Sequence, residues 1–364
     1  MTTVRRVFIQ PYPLRLKRAL HWGRGQSLAQ PTHVLVGVEL ADGARGVAEA
    51  PPRPGIYGET VESIAAIIEQ ELAPRLVGQP LRDPGDLARL QASLTAIRNN
   101  HTARGALDLA LHGALARSRG ISLAHLIEAA RPTIRVSSIV SSGEREAVLQ
   151  EAQEAVAAGV RVLKVKVGRA FARDLGTLRE LRDMVGDAVT LYADVNECFS
   201  AENAPARLAA LAQLDVLWCE EPLPVTQLQE RAALRADSPL PLIADDSAFS
   251  LAELERELAQ DSFDILNIKT ARNGFSEALA MEAAALARGK GIMVGSQAGS
   301  TIGCLHALLL GAREGVAYPV EGSFYLRIED HYEGLLPVED GHVQLAQVER
   351  ALTQVEDDLL RRFD

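Results

Sequence analysis

VLKVKV (162–167), TLYADV (190–195), VLWCEEPL (216–223), LIADDS (242–247) and ILNIKT (265–270) recur at near-equal intervals, separated by stretches rich in Ala, Leu, Arg and Glu. The pattern extends outward, to VSSIV (136–140) before this block and to IMVGSQ (292–297) and AYPVEG (317–322) after it. An interval of roughly 25 residues is one strand, one helix and two short loops. Eight such strands alternating with helices require a parallel sheet closed into a barrel, an α/β fold. An open doubly wound sheet has the same alternation, but no glycine-rich phosphate loop follows the first strand. Upstream, VRRVFIQPYPLRL, HVLVGVELADG and ARGVAEAPP read as strands, the last two joined by an Asp42–Gly43 hairpin turn. Helical patterns then run from Thr60 towards Arg119 and stop at Gly120, which predicts an α+β unit ahead of the barrel.

Strands buried on both faces should be almost purely apolar. These instead end in Lys164 and Lys166, Asp194 and Asn196, Glu220 and Glu221, Asp245 and Asp246, Asn267 and Lys269, Gln297, and Glu321. The C-terminal rim of a parallel barrel is where catalytic groups collect. A turn or cap role accounts for an isolated member; Ser250, three residues before Glu253, reads as a helix cap and carries no chemistry. It does not account for seven successive strand ends.

Asp194, Glu220 and Asp245 lie 26 and 25 residues apart, one repeat each, so three carboxylates converge above the barrel. Left alone they would repel until one or more took up a proton. A hard divalent cation removes that conflict, and all-oxygen ligation favours Mg²⁺, or Mn²⁺, over zinc. Strand alternation leaves the choice within Glu220–Glu221 and within Asp245–Asp246 open. Lys164 and Lys166, two apart on one strand, point to the same face, and Lys269 lies across the barrel mouth. A lysine beside a metal and other cations has a lowered pKa and can act as a base near neutral pH. Two such lysines can serve opposite faces of one carbon next to a metal-bound carboxylate, with the metal stabilising the enediolate. The bland alternative is that they only neutralise the acidic rim. A Schiff-base lysine would not need the carboxylate triad.

Composition narrows the partners. A 364-residue chain, 47% hydrophobic, is long enough for about two domains with a large core. Its net charge of −10 argues against a nucleic-acid or anionic-membrane partner, which needs clustered Lys and Arg. No apolar run reaches the roughly 20 residues that span a bilayer, and MTTVRRVFIQPYPLRL makes a poor signal peptide. Cys198, Cys219 and Cys304 form no CxxC pair and read as reduced thiols of a cytoplasmic protein.

Taken together, KVK (164–166), DVN (194–196), EEP (220–222), ADDS (244–247) and NIKTARNG (267–274) resemble the enolase superfamily, and within it the muconate lactonizing enzyme subgroup. The resemblance covers nearly the whole chain, including ARGALDLALHG (103–113). It implies a modified TIM barrel, (β/α)7β, spanning 126–322. An α+β capping domain would be formed by residues 1–125 together with the C-terminal segment 323–364. It also implies metal ligation by Asp194, Glu220 and Asp245, an acid/base pair Lys166 and Lys269, and Lys164 as their electrostatic neighbour. The mandelate racemase branch places a His at the end of the seventh strand; here IMVGSQAGS has none, and His306 reads as a packed helix residue. Enolase itself lacks the KVK arrangement. Two capping loops, ALHWGRGQS (19–27) and PPRPGIYGET (51–60), would set specificity, with His21, Trp22, Ile56 and Tyr57 lining the pocket. Trp22 and Tyr57 packing between domains is the plainer alternative, and Arg24 and Arg53 either meet a second substrate carboxylate or are solvated. Asn196, Gln297 and Glu321 complete the expected substrate contacts. Dipeptide epimerases of the family carry Asp-x-Asp at the eighth strand, whereas this chain has the single acid Glu321, as cycloisomerases do. The leading expectation is therefore a cycloisomerase-like reaction on a small carboxylate. Next come racemisation or epimerisation of N-acylated amino acids or dipeptides, then an o-succinylbenzoate synthase-like dehydration. A non-catalytic metal–carboxylate binder is the rival of a different class. Assembly into a homo-oligomer is expected.

Overall fold

The computed structural model describes residues 2–22 and 26–364, without the side chains of Trp22 and Gln26. Five strands open the chain: β1 (Val4–Pro13), β2 (Leu20–Trp22), β3 (Gln26–Leu28), β4 (Thr32–Leu40) and β5 (Arg45–Ala50). β1, β4 and β5 form an antiparallel sheet in that order, while β2 and β3 pair with each other. The expected hairpin joins β4 to β5, with the Asp42 carboxylate accepting the Ala44 amide at 3.1 Å. The apolar run of β4 is buried along eight of its nine residues, and helix His101–Ser118 packs across β4 and β5. Asp108 on that helix reaches the barrel. It accepts the Phe275 amide at 2.6 Å and the Ser276 amide at 2.9 Å. Those donors are free because helix Thr270–Leu286 breaks at Gly274 (φ +63°), where a Cβ would meet Asp108 Oδ2 at 2.4 Å.

β6 (Thr133–Arg135) pairs antiparallel with β14 (His342–Gln344) and leads into the barrel. Seven parallel strands follow in sequence order: β7 (Ser138–Val140), β8 (Val162–Lys166), β9 (Thr190–Asp194), β10 (Val216–Glu220), β11 (Leu242–Ala244), β12 (Ile265–Ile268) and β13 (Gly291–Val294). AYPVEG, expected as the eighth strand, is reduced to one ladder position. Val320 bridges both Val294 and Val136, and that single residue closes the ring. Pro319 explains the shortening, because it has no N–H to give a neighbouring strand. The Val320 and Glu321 amides still donate to Arg135 O and Val294 O, each at 2.8 Å. Helix Leu345–Leu360 returns to the N-terminal elements, where its Glu356 meets Arg117 at 3.0 Å.

Side-chain alternation builds the barrel interior in layers. Val162, Tyr192, Trp218, Ile243, Ile265 and Met293, with Tyr318, form an apolar floor. Two residues further along each strand the same inward face carries Lys164, Asp194, Glu220, Asp245, Asn267 and Gly295. The polar rim expected from the strand ends is thus a layer directly above the floor. Backbone strain gathers at this rim: Asn196, Glu221 and Ala298, just past strand ends, have φ of +45°, +40° and +52°.

Candidate active site

Lys164 stands at the centre of the polar layer. Its Nζ lies 2.6 Å from Glu220 Oε1, 2.7 Å from Glu321 Oε1 and 3.1 Å from Asp194 Oδ2. Burial alone would lower its pKa, but these carboxylates hold it well above the usual lysine range. Lys166 donates to Asp194 Oδ2 at 2.5 Å and to Asn196 Oδ1 at 3.0 Å. Lys269, immediately after β12, pairs with Asp245 Oδ2, and Arg272 sits 3.2 Å from Asp245 Oδ1. Burial is again overcome by Asp245 and Asp246, so Lys269 too is held above its ordinary value. The lowering expected for a lysine among cations does not emerge from the protein's own charges at Lys164 or Lys269, because each touches a carboxylate directly.

The carboxylates show the conflict foreseen from their spacing. Burial, together with Asp194 and Asp245 nearby, pushes the Glu220 carboxyl well above its usual range against the pull of Lys164. Asp194 goes the other way, because Lys164 and Lys166 overcome the effect of burial. Asp245 falls to about 2 despite burial, through Lys269 and Arg272. The choice left open by sequence is settled for orientation at Glu220–Glu221. Glu220 follows Trp218 inward, whereas Glu221 Oε1 accepts the Asp245 amide at 2.6 Å and the Ser247 amide at 3.0 Å. Glu221 therefore ties the β10 and β11 loops together. Asp245 is directed to Lys269, while Asp246 stands 3.7 Å from Arg272 at the margin.

Among the described residues, no three acidic, His or Cys side chains are already gathered around a metal-sized point. Asp194, Glu220 and Asp245 are drawn onto lysines instead. The donor set nevertheless fits a hard divalent ion. All three side chains offer carboxylate oxygens, Glu220 carries unrelieved repulsion, and Asp245 Oδ1, although 3.2 Å from Arg272 Nη1, is buried without a hydrogen-bond partner among the described residues.

A cavity of about 60 Å³ lies over this layer, lined by Lys164, Lys166, Asn196, Asp245, Lys269, Gln297 and Glu321 from the barrel and by Ile56 from the cap. Lys166 and Asn196 also border an adjoining chamber of about 530 Å³, which His21 lines. Tyr57 takes the plainer role: it packs against Phe249 and His101, with ring centroids 5.3 and 6.0 Å away. The Trp22 side chain and Arg24 lie outside the described residues. The sequence placed Asn267 on the polar rim without a role and did not single out Tyr192, Ser296 or Arg272 as site residues. Tyr192 OH and the Ser296 amide bond the two oxygens of Glu321 at 3.0 and 2.9 Å, and Asn267 Nδ2 donates to Glu220 Oε2 at 3.1 Å. Two of them had a readable signal, since Tyr192 and Asn267 each precede a nominated residue by two and so share its face.

His306 lies in helix Thr301–Gly311, fully buried, with neither ring nitrogen hydrogen-bonded among the described residues. Burial lowers its pKa from 6.5 to about 4. Stability from this group is present above pH 6.5 and is lost as pH falls towards 4, because the unfolded chain protonates first. His306→Leu is expected to keep or raise the melting temperature at neutral pH by removing a buried polar ring, an effect of about 1 kcal/mol. It should also flatten the acid limb of the stability curve. Parallel melting curves for variant and wild type between neutral and acid pH would refute this reading.

Known proteins are similar to this chain in architecture and in sequence. Residues 147–349 match the enolase C-terminal domain-like family, and residues 6–128 match the N-terminal domain of the mandelate racemase / muconate lactonizing enzyme family. An aromatic dipeptide epimerase of Herpetosiphon aurantiacus is 30% identical over 88% of this chain and 90% of its own. An L-Ala-D/L-Glu epimerase of Bacillus subtilis is 30% identical over 74% of each chain. A muconate lactonizing enzyme of Mycobacterium smegmatis, solved with muconolactone, superposes with a TM-score of 0.87 at 31% identity over 94% of both chains. The chain belongs to the enolase superfamily, among its muconate lactonizing enzyme-like members, and is an enzyme of the isomerase class.

Proposed function

We propose that this enzyme removes the proton α to the carboxylate of a small organic acid, with Lys166 and Lys269 as its acid/base pair. The observation that carries this reading is their placement: β8 and the end of β12 bring both side chains to one cavity. Asp194, Glu220 and Asp245 would hold Mg²⁺, or Mn²⁺. When bound, that ion stabilises negative charge building on the substrate carboxylate. Lys164, fixed by three carboxylates, contributes positive charge without leaving its place. One lysine Nζ, as the neutral amine, takes the α-proton; in the lactonising direction the same Nζ delivers a proton to that carbon. The other either stays charged beside the new anion or returns a proton to the opposite face.

The first alternative is a muconate-cycloisomerase-like reaction, which we favour. Glu321 supports it, because both of its oxygens are bonded within the barrel by Lys164, Tyr192 and Ser296. No acid pair stands at that strand end to receive a substrate ammonium. Epimerisation of a dipeptide or N-acylated amino acid is the second reading, supported by the two relatives that act as epimerases. The test is deuterium exchange in D₂O over a library of muconates, dipeptides and N-acyl amino acids, with chelation and Mg²⁺ add-back. A true substrate should show exchange or turnover that stops on chelation and returns with Mg²⁺. Two-base epimerisation should put deuterium into recovered substrate of both hands; cycloisomerisation should not. Tight Mg²⁺-dependent binding with no exchange or turnover of any ligand would favour a binder instead.

A further inference from the structure

We propose that Arg53 forms an anion subsite in the catalytic cavity that selects substrates bearing a second carboxylate; this rests on the cavity being the substrate site proposed above. Arg53 comes from the cap segment after β5, yet it is 5% exposed and lines the cavity together with Lys164, Lys166 and Lys269. Each of those lysines touches a carboxylate. Arg53 has none within ion-pair distance among the described residues. Its hydrogen-bond partners are all neutral: Nη1 donates to Pro52 O at 2.6 Å, and Nη2 donates to Gln297 O and, at 3.3 Å, to Ala298 O.

A guanidinium has five N–H donors. Three bonds leave the Nε hydrogen and one Nη1 hydrogen for a ligand. The three carbonyls fix the side chain but supply no counter-charge, and burying an unpaired charge is costly. A neutral donor would serve as well for clasping two loops. A full charge in this place is accounted for by an anion that arrives with the substrate, and a planar donor array suits a carboxylate. The competing role is a clasp that only holds the cap segment against residues 297–298.

Calorimetry in the presence of Mg²⁺ separates the two roles. Succinate, glutarate, adipate and cis,cis-muconate, each with its monomethyl ester, are titrated into wild type, Arg53→Met and Arg53→Lys. Wild type is expected to bind at least one diacid about tenfold more tightly than its half-ester. Arg53→Met should erase that preference, weakening the diacid about tenfold and the half-ester less than about twofold, with Arg53→Lys in between. Equal weakening of diacid and half-ester would leave only the clasp. A wild-type protein that prefers no diacid over its half-ester overturns the proposal even if Arg53→Met does not fold. The catalytic reading is judged separately, by Mg²⁺-dependent exchange that needs Lys166 and Lys269. A half-ester processed as well as its diacid would sink the subsite alone.

Discussion

Lys166→Ala and Lys269→Ala are each expected to lower turnover of the true substrate by about three orders of magnitude. The loss should come from chemistry and not from collapse of the fold. Asp245 keeps Arg272 at 3.2 Å when Lys269 is removed, and Asp194 keeps Lys164 at 3.1 Å when Lys166 is removed. Neither carboxylate is left buried without a cation, so far-UV spectra and melting temperature should stay close to wild type. Lys→Arg at either position preserves the ion pair but not the base, because a guanidinium does not lose its proton near neutral pH, and it should be almost as inactive as alanine. The two positions also discriminate between the candidate reactions. In epimerisation each variant loses exchange with one hand of the substrate and keeps it with the other. In cycloisomerisation one variant loses proton transfer itself, while the other is impaired through the lost charge. Exchange and turnover at wild-type rates in either alanine variant would remove that lysine from the mechanism.

Gly295→Val is expected to lower turnover by about two orders of magnitude, because small misplacements of a catalytic group are costly. A Cβ at this position would stand 2.3 Å from Asn267 Oδ1 and 2.8 Å from Lys269 Cε. Asn267 cannot retreat cheaply, since its Nδ2 is bonded to Glu220 at 3.1 Å. The strain therefore falls on Lys269, one of the proposed acid/base pair, and overpacking should cost about 1–3 kcal/mol of stability as well. The glycine belongs to IMVGSQ, the strand end whose lack of a histidine separates this chain from the mandelate racemase branch in the sequence. The geometry supplies a physical counterpart: the space a side chain would fill at that strand end is occupied by Asn267 and Lys269. Proton exchange and thermal denaturation of Gly295→Val measure both consequences. An exchange rate equal to wild type would show that Lys269 tolerates displacement and that the close contact is incidental.

Much of this site was legible in the chain because a parallel barrel converts sequence spacing into geometry. One polar cluster per repeat, at the end of an apolar run, can only reach the C-terminal rim, so Lys164, Asp194, Glu220, Asp245 and Lys269 could be named before any coordinates. Their residue types then indicated the chemistry, since acids at that spacing need a cation and lysines opposite them suggest proton transfer. Other features depended on contacts between segments far apart in the chain, which no local pattern encodes. Tyr57 belongs to a loop expected over the pocket, but it turns towards Phe249 and His101. Arg53, for which the sequence left open a second substrate carboxylate or solvation, is buried. The eighth strand shrank to Val320 through the loss of one donor at Pro319.

By itself, the sequence determined the repeat, the fold class and the identity of the charged layer, because side-chain alternation and repeat length are properties of the local backbone. The tertiary structure decided how those charges are partnered: Lys164 among three carboxylates, Glu220 turned inward and Glu221 turned to the Asp245 loop, Gly295 yielding its space to Asn267 and Lys269. Pairing, burial and the resulting pKa shifts arise where distant segments meet at ångström range, and there the energies depend on distances that spacing along the chain does not specify.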